Sequence, residues 1–206
     1  MDRSPGRSAP GPSPRLERLL ALFSELITTQ DEQTAGPLIA RILLEESILP
    51  YLAGSLAVGD SNERWWAVRI LSEIQGDEAA DLIRKALFDA DAEVRQCAAL
   101  ALRSRQDPRA LTGLLGLLSE PDHLSARLAG DSLSELGSAA IPGLTEILTG
   151  GPPGARVEAA RALALMDSLD AVPTLFECLE DESALVELWA DEGLQRRGIG
   201  MTFFQG

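Results

Sequence analysis

The sequence predicts an all-α protein, an α-solenoid in which helix–turn–helix pairs stack with a period of about 31 residues. Three observations carry this. Leu71, Leu102, Leu133, Leu163 and Leu194 stand 31, 31, 30 and 31 residues apart, and a second series, Leu87, Leu118, Leu148 and Leu179, keeps spacings of 31, 30 and 31. Hydrophobic residues make up 45% of the chain but aromatics only 4%, and with Leu and Ala dominant and β-branched residues sparse the composition favours helices packed on helices. Turn-forming residues separate the two leucine series in each period: Gly76-Asp77, Asp107-Pro108, Gly137-Ser138 and the stretch from Asp167 to Asp170.

Residues 1–14, MDRSPGRSAPGPSP, hold Pro, Gly and Ser without apolar periodicity and are expected to be a disordered tail. The remainder, residues 15–206, reads as a single solenoid domain. A helix is expected over 15–29, where Leu16, Leu19, Leu20, Phe23, Leu26 and Ile27 follow helical spacing. A degenerate repeat follows at 34–60, ending near Leu56, 31 residues before Leu87. Repeats then cover about 61–91, 92–122, 123–153 and 154–184, and a capping repeat covers 185–206. Its end, RRGIGMTFFQG, carries Met201, Phe203 and Phe204 and is expected to fold back over the last repeat. In each period the first helix brings small residues three and four positions before its leucine, such as Ala98-Ala99, Ala129-Gly130 and Ala159-Ala160, which let a neighbouring helix approach closely. Pro142 and Pro173 fall near the starts of second helices, where a missing N–H costs little.

The segment VRQCAALAL (94–102) aligns with ERWWAVRIL (63–71), SARLAGDSL (125–133), ARVEAARAL (155–163) and, in its last positions, ELWADEGL (187–194). This pattern resembles HEAT repeats, and specifically the short HEAT-like repeats of phycobilisome-lyase-type proteins. The resemblance covers roughly residues 61–200. It implies a superhelix whose second helices line the concave surface, and it specifies the fold rather than the function. Arg64, Arg95 and Arg156 keep the arginine of the pattern, while Ala126 and Glu187 replace it, so an inter-repeat arginine ladder is expected to break in the third and last repeats.

Little in the chain suggests catalysis. His123 is the only histidine and cannot build a histidine metal cluster; Cys97 and Cys178 lie in apolar helical patterns and read as buried free thiols of a reducing cytoplasm. Neither a G-x-S-x-G elbow nor a phosphate-cradling glycine loop is present, and GGPPG (150–154) reads as a turn between repeats. Neighbouring acidic residues such as Glu45-Glu46 point about 100° apart on a helix and read as solvated faces. No cofactor, metal or catalytic residue is expected. Of 18 basic residues 17 are Arg, Lys85 being the single lysine, and the net charge of −14 opposes binding to nucleic acid or anionic membrane. The longest apolar stretch, Ile48 to Val58, is too short to span a bilayer.

The expected function is therefore a non-enzymatic scaffold that binds a protein partner on the concave face of the second helices. With Ile83, Leu114, Leu144 and Leu175 as inward anchors, the candidate contacts are Arg84, Lys85, Leu115, Glu146, Phe176 and Glu177, the apolar pair anchoring and the charges orienting. The alternative is a bilin-chromophore lyase or lyase-like chaperone, in which Trp65 and Trp66 contact a planar ligand. Of that tandem pair, one ring is expected between helices and the other at the surface.

Overall fold

Aspartates start the first helices. The computed structural model describes residues 14–29, 32–45 and 48–199, and in it Asp60, Asp91 and Asp122 sit one repeat apart as N-caps of α4 (Ser61–Leu71), α6 (Ala92–Arg103) and α8 (His123–Glu135). Each carboxylate accepts amides of the first turn that have no helical partner; at Asp60 the Glu63 side chain reciprocates on the Asp60 amide at 3.0 Å, completing a capping box. In the next two periods α10 (Pro153–Leu165) and α12 (Ala184–Arg196) are preceded by Pro152 and Ser183 instead. The second helices are α5 (Asp77–Ala86), α7 (Leu111–Leu118), α9 (Ile141–Gly150) and α11 (Val172–Cys178). Short 3-10 turns lead into the last three, with Pro142 and Pro173 in the first turns of α9 and α11. Among the described residues there is no strand, so the chain is an all-α solenoid.

Three helices precede the regular repeats: α1 (Pro14–Thr28), α2 (Glu32–Ile42) and α3 (Ile48–Val58). α1 packs on α2 and also reaches α4, where Asn62 donates to the Ile27 carbonyl at 3.3 Å. Phe23 of α1 meets Tyr51 of α3 edge to face at 5.1 Å. The expected tail 1–14 lies almost wholly outside the described residues, as do residues 200–206 of the expected fold-back.

The core follows the leucine series. Leu71, Leu102, Leu133 and Leu163 of the first helices, and Leu87, Leu118 and Leu148 that close the second, are buried. Leu179 is only half-buried, and among the described residues no further second helix stands beside it. The small residues bring first helix against first helix, α6 on α8 and α10 on α12. Gly193 of α12 shows how closely: a Cβ there would lie 2.8 Å from the Ala164 Cα and 2.9 Å from its Cβ. In the same layer Ser132 donates to the Ala99 carbonyl at 2.8 Å, satisfying a buried hydroxyl across two repeats.

The repeat arginines clasp the loops at the repeat boundaries, and the series is interrupted at Ala126. Arg64 forms a two-pronged pair with Asp89 at 2.8 Å on both prongs and also donates to the Gly59 carbonyl, so it ties the loop before its helix to the loop after its repeat. Arg95 repeats this with the Asp89 and Ala90 carbonyls and Glu120, and Arg156 with Asp181 and Glu182. Where Ala126 replaces the arginine, Gly151 stands in the carboxylate position, so cation and anion are absent together. A lone buried carboxylate there would be costly, which gives the paired loss a physical reason.

Burial alone would raise the Asp89 carboxyl, but the Arg64 hydrogen bonds, the Asp91 amide and the charges of Arg64 and Arg95 outweigh it and hold it below the usual range. A carboxyl depressed in the folded state contributes stability above its unfolded pKa and loses it as pH falls through the folded value. Asp89→Asn should therefore cost about 1–3 kcal/mol at neutral pH, and the gap to the parent should shrink below about pH 4 in urea melts. A gap that stays constant down to acid pH would show that the charge of Asp89 is not what holds the loop.

Candidate partner-binding face

On each second helix the buried anchors, Ile83, Leu114, Leu144 and Leu175, set the orientation of the rest. Adjacent residues rotate by about 100°, and the structure separates two rows next to the anchors. The row Lys85, Gly116, Glu146 and Glu177 points outward and is exposed throughout. The row Arg84, Leu115, Thr145 and Phe176 points along the solenoid toward the following repeat.

That sideways orientation changes the standing of three candidate contacts. Arg84 is held in ion pairs with Asp81 and with Asp107 of the next repeat. Leu115 is half-buried and fills the space above Gly143, where a Cβ would collide with its methyl groups. Thr145 lies 3.5 Å from Thr174. Phe176 occupies the same position in the last pair, where the described chain supplies no second helix for it to meet, and it is 44% exposed for that reason. The structure thus leaves Lys85, Glu146, Phe176 and Glu177 open and turns Arg84 and Leu115 into inter-repeat contacts. The signal that could have separated the rows is glycine: Gly113 and Gly143 recur opposite the bulky residues they accommodate.

Charge is distributed unevenly along this face. At the α5 and α7 end three of the aspartates are paired, Arg109 with Asp77 at 2.8 Å and Asp107 at 2.9 Å and Arg84 with Asp81 and Asp107, while Glu78 forms no ion pair with any described residue. Burial would raise the Asp107 carboxyl, but Arg109 hydrogen bonds and the Arg84 charge hold it low. At the α9 and α11 end, Glu146, Glu177 and the following Glu180 form no ion pair with any described residue, and neither does Lys85 at the other end. Two other exposed aromatic or aliphatic groups sit near the ends of this face, Phe88 after α5 and Leu169 before α11.

Trp65 and Trp66 are on α4, in the first-helix layer. Their rings pack on each other edge to face at 4.8 Å and both are half-buried against the core, so neither is the fully surface residue expected of one of them. The first helices carry exposed leucines of their own: Leu100, Leu124, Leu185 and Leu188. Burial pushes the Cys97 thiol up to about 12 and the Cys178 thiol up to about 11, leaving both as protonated core groups. Among the described residues no group of His, Cys, Asp or Glu is arranged to hold a metal ion, and no helix is long and apolar enough to cross a membrane.

Comparison with known proteins agrees with this architecture. An engineered protein of known crystal structure is 23% identical, with a TM-score of 0.50 over 89% of this chain and 98% of its own. YibA of Escherichia coli is 17% identical, with a TM-score of 0.55 over 93% of this chain and 78% of its own. A designed armadillo repeat protein, solved in complex with the peptide (KR)4, is 18% identical, with a TM-score of 0.51 over 89% and 94%. No curated protein matches the sequence. The family profile described as HEAT repeats matches residues 50–134 and 141–199; with its period, paired helices and interlocked loops, the chain belongs to the HEAT-repeat family.

Proposed function

We propose that the protein is a non-enzymatic scaffold whose second-helix face binds an extended, basic segment of a partner protein. In HEAT solenoids the second helices line the concave side, which supports choosing that face. The observation that carries the reading is the set of unpaired carboxylates Glu146 of α9, Glu177 of α11 and the following Glu180, beside the exposed ring of Phe176, while Asp77, Asp81 and Asp107 toward the α5 end are paired with Arg84 and Arg109. A partner segment laid along the outward row meets Lys85 at one end, an apolar anchor at Phe176 and carboxylates at the other end, which fixes its direction. Leu115 contributes as the apolar floor between them. The net charge of −14 favours a cationic partner over nucleic acid. The two buried thiols suit a reducing compartment, and the cytoplasm is the simplest setting.

The lyase-type alternative needs an aromatic surface for a planar tetrapyrrole. Trp65 and Trp66 already pack on each other and on the core, which supports a structural role for them. Mixing the protein with a free bilin and finding no change in its absorbance or in tryptophan fluorescence would count against that alternative.

A labelled (KR)4 peptide is a suitable first probe of the basic-segment reading. Its fluorescence anisotropy should report binding at low salt that fades as ionic strength rises. Reversing Glu146 and Glu177 together to Lys should weaken it by tenfold or more, about 1.4 kcal/mol, and Phe176→Ala should weaken a partner segment carrying an apolar residue. Binding that survives these changes but is lost with Leu124→Ser or Leu188→Ser would move the site to the first helices.

A further inference from the structure

The loops that join one repeat to the next lie along one edge of the solenoid, and side chains of the first helices stitch them together. Arg64 joins the Gly59 carbonyl to Asp89, and Arg95 joins the Asp89 and Ala90 carbonyls to Glu120. Gln96 extends the series, donating to Asp122 at 2.9 Å and to Ser125 of the next first helix at 3.1 Å. The stitching stops at the α9–α10 junction, Gly150-Gly151-Pro152-Pro153. Ala126 has no guanidinium to reach it, and Arg156 spends its donors on Asp181 and Glu182 of the following loop. The junction carries no polar side chain, and Pro152 supplies no side-chain cap to α10.

The same boundary is fastened elsewhere. In the first-helix layer Arg161 of α10 is 2% exposed, although Leu100 at the matching position of α6 is 55% exposed. Its guanidinium crosses to α8, pairing with Asp131 at 2.7 Å and donating to the Arg127 carbonyl at 3.0 Å, while Glu158 of its own helix holds Nε. Gly130 gives it room, since a Cβ there would lie 3.3 Å from Nη2. Pulling these helices apart would strand a buried cation, so this contact resists opening. At the opposite edge, where first helices turn into second ones, Ser138 donates to Asp170 at 2.6 Å and meets Ser168 at 3.0 Å.

We propose that the α9–α10 junction is a one-sided hinge: α8 and α9 pivot against α10, α11 and α12 about the contacts of Arg161 and Ser138, and the loop edge opens and closes. The C-terminal ends of α9 and α11 lie at that edge, so the movement changes the separation of Glu146 from Glu177 and Glu180. Repulsion among these unpaired carboxylates favours the open arrangement, and a cationic segment held between them favours the closed one. That closing step rests on the basic-segment reading above; the hinge itself does not.

Spin labels on the full-length protein test it by pulsed dipolar distance measurement. Cys97 and Cys178 are buried, so introduced surface cysteines take the labels. Leu124→Cys with Leu185→Cys marks the loop edge of α8 and α12, and Glu135→Cys with Arg196→Cys marks the turn edge of the same helices; all four positions are exposed. Each pair spans two repeats, about 20 Å. The loop-edge distance distribution should be broader than the turn-edge one by about twofold. Equal widths would overturn the hinge, and this comparison needs no substitution at the junction. Ala126→Arg with Gly150→Asp supplies the missing clasp and should narrow the loop-edge distribution to the turn-edge width. Gly150 is chosen because a Cβ there meets nothing within 4 Å, whereas one at Gly151 would strike the Ile147 carbonyl. A clasped variant that melts at or above the parental temperature with its width unchanged would also count against the hinge. Added (KR)4 should narrow the loop-edge distribution in the parent but not after Glu146 and Glu177 are reversed to Lys. Peptide that binds by anisotropy yet leaves the width unchanged overturns the closing step, while absence of binding overturns the basic-segment reading and the closing step together.

Discussion

Leu133→Ala should destabilise the protein by about 2–5 kcal/mol, or roughly 5–15 °C of melting temperature for a domain of this size. Leu133 is fully buried in α8, where the first helices are brought close by Ala129 and Gly130, themselves buried. Removing three carbons from such a site leaves a void that the flanking helices cannot close, because α6 and α10 are held on either side by their own small-residue contacts. Leu179→Ala is the internal control. Leu179 belongs to the matching series on the second helices but is half-buried at the open end, so its truncation should cost less than half as much. Urea melts of the two variants decide it: an unchanged midpoint for Leu133→Ala, or a larger loss at Leu179, would show that the leucine period does not mark the load on the core.

The contrast between those leucines indicates what the sequence could reveal. A residue repeated at a fixed spacing reports burial, because each period solves the same packing problem, and the fold was readable from that alone. The entry to the solenoid was less readable. Position 40, one period before Leu71, is Ala40 rather than leucine, and α1 instead reaches α4 from further back in the chain. The candidate site was readable only in part. Which face of a helix a residue occupies follows from counting, but whether the neighbouring row looks outward or into the next repeat depends on what stands opposite. Leu115 is answered by Gly143 and Arg84 by Asp107, partners 28 and 23 residues away that no local pattern connects. Phe176 stands where the matched position of the preceding repeat has Thr145, and its exposure goes with the absence of a successor among the described helices rather than with a different orientation.

Arg105 and Arg197 show the same limit from the side of hydrogen bonding, because their partners are backbone carbonyls, which carry no sequence signature. They stand three residues after Leu102 and Leu194, and each reaches back 31 to 34 residues to the end of the preceding first helix. Arg105 donates to the carbonyls of Leu71, Ser72 and Ile74. Arg197 donates to those of Leu163, Ala164, Met166, Ser168 and Gly193. The last carbonyls of a helix have no partner within it, and the planar fork of a guanidinium serves several at once as a cation at the negative end of the helix dipole. Burial lowers the Arg197 pKa, with the Arg196 charge adding to the effect and Asp167 opposing it, yet an arginine stays protonated at any physiological pH. Arg197→Ala should therefore cost about 2–3 kcal/mol and loosen α12 from α10, seen as faster amide exchange across Ala184–Arg196. Arg197→Lys should recover less than half of that, since a point charge on a flexible stem cannot address carbonyls on both helices together. A variant Arg197→Ala that melts within about 0.5 kcal/mol of the parent, or a lysine that restores it fully, would mean that water serves these carbonyls as well as the arginine does.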